Sequence, residues 1–186
     1  MRPFQAALIL ILLGLAAYAN AVAHPFVHDD VVFIQQNPFI ADLNLKEFFY
    51  QTSFPVSDNP LINQYYRPLL ELFNRLQYRI FQLNPFGFHF VNILMHIANS
   101  ILIYLLFLRL TERRKGLSFT LAVVFLIHPI QSEAVACVSG ISNLLFAFLC
   151  LISFHLYLAS GAANRRLYNL LLYLLSLGIF LLGLLA

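Results

Sequence analysis

An all-α, polytopic membrane helix bundle of about five spans is the fold this sequence predicts, and three observations predict it. Of its 186 residues, 61% are hydrophobic and 10% are charged, against about 45–50% and about 25% in soluble domains. The charges are segregated, so that uncharged apolar stretches lie between them, each near the roughly 20 residues a spanning helix needs. Arginine-rich clusters fall in alternate loops, as expected of loops on the cytoplasmic side. The mean hydropathy of +0.79 excludes a disordered chain, which needs low hydrophobicity and high charge. A net charge of +3 and a pI near 9.0 do not imply nucleic acid. The 11 basic residues are scattered and form no phosphate-tracking face.

The elements follow in order. Arg2 precedes the first apolar run, read as a span over about 4–23. Ala21-Val22-Ala23 ahead of His24 imitates a signal-peptide cleavage site, but an uncleaved anchor is the favoured reading. A polar-aromatic segment over about 24–87 follows and holds six of the eight acids. Further spans are read at about 88–108, 117–136, 141–160 and 168–186, the third being the weakest because its unbroken apolar core ends at Ile127. Placing Arg2, the Arg109–Lys115 cluster and Arg165-Arg166 inside puts loop 24–87 and the turn at 128–140 outside. The last run ends in apolar residues without a polar flank, so the chain is expected to be the front portion of something longer. Cys137 and Cys150, thirteen residues apart, lie about 20 Å apart along a helix, too far for a disulfide. No 20–50-residue repeat is visible.

The 24–87 segment is too aromatic for a linker. Asn44 with Glu47 three residues on imitates a capping box and opens a short helix through Phe48, Phe49 and Tyr50. Pro68 suits a first helical turn. After it Leu69, Phe73, Leu76, Ile80 and Leu83 form one apolar stripe, with Glu71, Arg75, Arg79 and Gln82 off it. Such a basic amphipathic helix lies along a membrane interface, or packs on an external domain. Asn84-Pro85 then breaks it.

Four groups of residues can carry chemistry. Asp29-Asp30 stand six residues beyond span one, between Val27 and Val31. Adjacent carboxylates repel one another's second ionisation, and a carboxylate at a membrane face can act as general base toward a hydroxyl; such a pair also serves as a helix cap or solvated turn. Glu133, isolated near His128-Pro129, is a functional candidate because lone acids near apolar spans are costly; it can equally cap a helix, and its spacing from His128 is not a metal motif. Arg67, ahead of Pro68, can clamp a phosphate or a lipid headgroup. His89, Asn92, His96 and Asn99 make a polar stripe along span two that must face the bundle interior or a cavity. Interhelical hydrogen bonding is its first reading, with His89 and His96 as candidate substrate contacts. His155 reads as a satisfied core histidine.

These signals stand in a familiar order: Val27-His28-Asp29-Asp30 with Ile34 and Asn37, then Tyr66-Arg67-Pro68-Leu69, then Phe88-His89 with Asn92 and His96, then His128-Pro129-Ile130 with Glu133-Ala134-Val135 and Gly140. The chain, over about 24–145, resembles the N-terminal membrane half of the transmembrane-and-TPR O-mannosyltransferase (TMTC) family and its bacterial relatives, within the wider GT-C glycosyltransferases that include the protein O-mannosyltransferases. The resemblance implies a partial GT-C fold, a polyprenyl- or dolichyl-phosphate-sugar donor, a hydroxyl acceptor on a protein or glycan, and inversion at the anomeric carbon. It implies Asp29 as the base. Asp30 would help position substrates or, in some relatives, a divalent metal. Arg67 would contact the donor phosphate, and His128 and Glu133 would close the site. It also implies a bacterial plasma membrane, or the ER membrane in a eukaryote. One departure is that Ile141-Ser142-Asn143 stand where the family usually has an arginine, a small residue and an acid. A non-catalytic scaffold of the same ancestry is therefore the alternative reading. A transporter is the third, although it predicts inverted repeats that the sequence lacks.

Overall fold

The computed structural model describes residues 2–37, 40–41, 66–161 and 166–186. The described helices are α1 (Pro3–Ala17), α2 (Pro68–Phe81), α3 (Pro85–Leu110), α4 (Lys115–Ile127), α5 (Ser132–Ala136), α6 (Ile141–Ser160) and α7 (Arg166–Gly183). No strand occurs among the described residues, and the architecture is an all-α bundle. The short helix expected after Asn44 lies outside the described residues.

Three helical segments are long and apolar enough to cross a membrane: α3, Val138–Ser160 and α7. A fourth crossing exists if α4 and Pro129–Ala136, bent by 48°, count as one broken span. The protein is a multi-pass membrane protein. The first apolar run, expected to be helical to residue 23, is α-helical for 15 residues and then closes in a turn and a 3₁₀ segment over Ala21–Ala23. Ala6, Leu10 and Gly14, spaced four apart, form its buried face. At Gly14 an added Cβ would stand 2.4 Å from Ile97 Cγ1 of α3 and 3.2 Å from Leu126 Cδ1 of α4. Only glycine permits that three-helix crossing.

The break in the third apolar run has a local cause. Pro129 has no N–H to continue the helix. The next donor, Ile130 N–H, turns to His128 Nδ1 at 3.2 Å instead of back along α4. That frees the Leu126 carbonyl inside the bundle, where an unsatisfied backbone group is costly. Tyr18 Oη donates to it at 3.0 Å from the end of α1, and His96 Nε2 lies 3.0 Å from it on α3. A carbonyl only accepts, so Nε2 carries the His96 proton.

The same economy recurs along α3. Asn99 Nδ2 donates to the Leu144 carbonyl at 2.9 Å, and His155 Nε2 of α6 meets the Leu102 carbonyl at 3.0 Å. α6 and α7 form a hairpin clasped by two serines, Ser153 Oγ to Ser176 O at 2.8 Å and Ser176 Oγ to Ser153 O at 2.9 Å. The rest of α7 presents leucines outward, as a lipid-facing helix does.

α2 turns polar side chains inward beside Leu70, Phe73, Tyr78 and Phe81, which pack on the two cores. Asn74, Arg75 and Gln77 are 6%, 3% and 4% exposed, whereas Leu76, Ile80 and Leu83 are 44%, 72% and 46% exposed. Arg75 is ion-paired with Glu71 on the same helix. Its N-terminus is tied to the end of α7 by Leu69 N–H donating to the Leu185 carbonyl at 3.0 Å.

Candidate functional site

The acid pair stands on its own small core. Phe26, Ile34, Ile40, Phe88 and Val138 are buried together at the end of the bundle where α3 begins and α6 begins, with the Phe26 and Phe88 rings edge-to-face at 5.4 Å. On this platform residues 27–30 make a tight turn, closed by Asp30 N–H to the Val27 carbonyl at 2.9 Å. His28 takes the left-handed region, φ 48°, which is uncommon for a residue with a Cβ. Asp29 occupies the outer corner and is exposed. Asp30 is fully buried.

Asp30 is buried because it is satisfied. Its Oδ1 accepts Ser139 N–H at 2.7 Å, and its Oδ2 accepts Val138 N–H at 3.2 Å and Val27 N–H at 3.4 Å. The 138–139 peptides belong to the second loop of this end, so one carboxylate joins segments 108 residues apart. The neighbouring backbone carbonyls face α3: Asn92 Nδ2 donates to Cys137 O at 2.7 Å and to Val138 O at 3.3 Å. Gly140 completes the arrangement. A Cβ there would stand 2.4 Å from the Ala134 carbonyl oxygen, so no other residue lets the turn fold this tightly against α5.

His128 ends α4 and caps the 3₁₀ turn Pro129–Gln131, its Nδ1 accepting the Ile130 N–H. Glu133 lies in the first turn of α5 and is exposed, where a carboxylate complements the helix N-terminus. Cys137 reports on the acids around it. Burial pushes its thiol up from the ordinary thiol range, and the charges of Asp30, Glu133 and Asp29 add to that in turn. All three acids thus act on Cys137 through their charge.

The other candidates divide. His89 is fully buried beside Asp30 and the His24-Pro25 backbone. His96, seven residues further along α3 and about 10 Å deeper, belongs to the Leu126 carbonyl knot and is ringed by Tyr18 and Phe125. Arg67 stands exposed at the N-terminus of α2, by the end of α7. Thus Asp30 and His89 are buried at this end, Asp29 and Glu133 are exposed on its two loops, His128 opens the loop that carries Glu133, and His96 lies deeper along α3.

Comparison with known proteins shows what the chain is similar to. The chain is 31% identical over 161 residues to human protein O-mannosyl-transferase TMTC1, covering 84% of this chain and 18% of that protein. It is 33% identical over 170 residues to mouse protein O-mannosyl-transferase TMTC4, covering 83% and 23%, and 29% identical over 166 residues to protein O-mannosyl-transferase F38B6.6 of Caenorhabditis elegans, covering 86% and 24%. The chain is TMTC-like. It spans about a fifth of the length of the curated relatives it matches. No protein-family model matches it, and no solved structure does.

In this TMTC-like chain the donor set for a divalent metal is poor. Among the described residues no three His, Cys, Asp or Glu side chains gather as a cation requires. Both oxygens of Asp30 face N–H donors, which would repel a cation. The strongest contacts in the site leave no direct sign in the sequence, because Val138 and Ser139 contribute backbone N–H groups, which any residue but proline supplies. Asn92 stood in the polar stripe, yet nothing in its spacing named residues 137 and 138 as its partners.

Proposed function

We propose that this chain is the front part of the membrane domain of a glycosyltransferase that moves a sugar from a polyprenyl- or dolichyl-phosphate donor to a hydroxyl of a protein or glycan, with inversion. Asp29 is the general base. The observation that carries the reading is the division of the acid pair: Asp30 is buried and fully hydrogen-bonded, while Asp29 projects from the same turn and is exposed. A hydroxyl is a weak nucleophile until a base takes its proton during attack, and only an accessible carboxylate can reach it. Asp29 takes the proton, the acceptor oxygen bonds to the anomeric carbon from the face opposite the phosphate, and the lipid phosphate departs with its bonding electrons.

Membrane placement fits a lipid-tethered donor. The end bearing Asp29 is the external or luminal one, because the Arg109–Lys115 cluster stands at the other end and basic loops stay cytoplasmic. The outward apolar residues Leu76 and Ile80 of α2, with Leu83 just beyond its end, support a helix lying in the outer interface. Arg67 at its N-terminus is the residue for the donor phosphate, since a guanidinium holds phosphate bidentately. Glu133 and His128 border the acceptor side.

Asp29→Asn in the full-length protein is the test. Transfer should fall by about 10²–10⁴-fold, the usual worth of a general base, while expression and donor binding persist. Wild-type turnover by that variant would remove Asp29 from the mechanism. A non-catalytic homologue is the second reading, favoured by Ile141, which is buried, and Asn143, which is exposed, where the family usually has an arginine and an acid. It predicts no transfer even from the unaltered full-length protein.

A further inference from the structure

We infer that Asp30 is a positioning residue, a latch that hangs the Asp29 turn on the second loop and so fixes where the base stands; this rests on the reading of Asp29 above. Asp30 does two jobs with one carboxylate. Within its own loop, Oδ2 accepts the Val27 N–H and reinforces the Asp30 N–H to Val27 carbonyl bond across the same four residues. Asp29 is the third residue of that turn, so both bonds define its place. Across the structure, the Val138 and Ser139 N–H groups hold the carboxylate itself.

The far side of the latch cannot yield. Residues 137 and 138 are held by Asn92 through their carbonyls. Residue 140 is pressed against the Ala134 backbone. Val138 is buried in the same small core as Phe26 and Ile34, which flank the acid pair. The 137–140 segment is therefore an anvil gripped through its carbonyls from α3, leaving its N–H groups for Asp30. The left-handed His28 persists only where the surroundings over-determine it, and the latch supplies that closure. Two adjacent acids thus take different work: one acts by exposure, the other by burial.

The substitution that separates these jobs is Asp30→Asn. An amide has one acceptor oxygen, and its NH₂ would point at an N–H donor, so at least one of the Val138 and Ser139 bonds must be lost. Asp30→Glu keeps both acceptors but places them one methylene further out. The measurements are amide hydrogen exchange over residues 136–141 and steady-state kinetics, both on the full-length protein in detergent or nanodiscs. In the wild type the Val138 and Ser139 amides should be the slowest-exchanging of the amides in 128–140 that lie outside α5.

Asp30→Asn should speed their exchange at least tenfold and lower kcat by about 10-fold or more, with KM for donor and acceptor within about twofold. Asp29→Asn should leave the exchange unchanged. Asp30→Glu should recover exchange protection and kcat in proportion. Fast exchange of Val138 and Ser139 in the wild type, or unchanged exchange in Asp30→Asn, overturns the latch. So does lost protection with wild-type kcat, or a loss confined to KM, which would make Asp30 a substrate contact. If the unaltered protein transfers no sugar, the functional reading fails, while the exchange arm still decides whether Asp30 latches the two loops.

Discussion

The end of the bundle where α3 begins and the α6–α7 hairpin use polar side chains in opposite ways. In the hairpin Ser153 and Ser176 bond to each other's carbonyls, and the outer surface of α7 is leucine. At the other place Asp30 and Asn92 reach backbone groups of a loop rather than of a helix. A polar group on a helix carbonyl strengthens something that would exist without it. A polar group on a loop peptide decides where that loop is, and with it whatever the loop displays. The difference separates a part of the membrane domain that only packs from a part whose connecting turns are set by side chains.

That contrast breaks most visibly at two positions. Asp29→Asn, with its expected loss of about 10²–10⁴-fold in transfer, should leave thermal stability in detergent untouched, since Asp29 is exposed. A large drop in melting temperature would show the residue to be structural. Gly140→Ala should do the reverse. Its methyl meets the Ala134 carbonyl oxygen at 2.4 Å, and overpacking costs about 1–3 kcal/mol, read as a lower melting temperature. Gly178→Ala in α7, where a Cβ would meet nothing within 4 Å, should be neutral or slightly stabilising. Equal effects of the two would erase the distinction between the two regions.

The all-α class and the apolar helices α3, α6 and α7 were legible because each rests on composition along the chain. Pro129 even announced the broken span, which ends its first helix at Ile127 as the apolar core does. What was not legible depends on partners far away in sequence. Nothing in Val27-His28-Asp29-Asp30 tells which acid is buried, since the answer lies in N–H groups at 138 and 139. The stripe of α2 likewise fits lipid or a protein core equally well, and only the burial of Asn74 and Gln77 shows which face turns inward. His96 joined His89 in one stripe, but the carbonyl freed by the bend at Pro129 draws it into the bundle interior instead.

Smaller changes sharpen the comparison. Asn92→Ala removes two bonds to the 137–138 carbonyls, and side-chain hydrogen bonds inside membrane proteins average about 0.6 kcal/mol with a maximum near 1.7. Ser176→Ala removes bonds of similar length, so the two variants should lose similar stability. Only Asn92→Ala should also reduce transfer, because only it loosens the anvil beneath Asp30. Matching losses of transfer in both would mean that activity follows overall stability.

The finest test uses Cys137. Its thiol is raised chiefly by burial and then by Asp30, Glu133 and Asp29, and the thiolate is the reactive form. A group raised in the folded state stabilises the fold below the ordinary thiol value and loses that contribution as pH climbs through the raised one. Removing a nearby negative charge should therefore move the pH–rate curve for alkylation of Cys137 by neutral iodoacetamide toward lower pH. Glu133→Gln should move it slightly, and Asp29→Asn by less, following the order of their influence. Burial, which neither substitution removes, keeps both shifts small. If both curves coincide with that of the wild type, Glu133 and Asp29 do not act on Cys137 through their charge, and Glu133 has no claim on the site that Asp29 occupies.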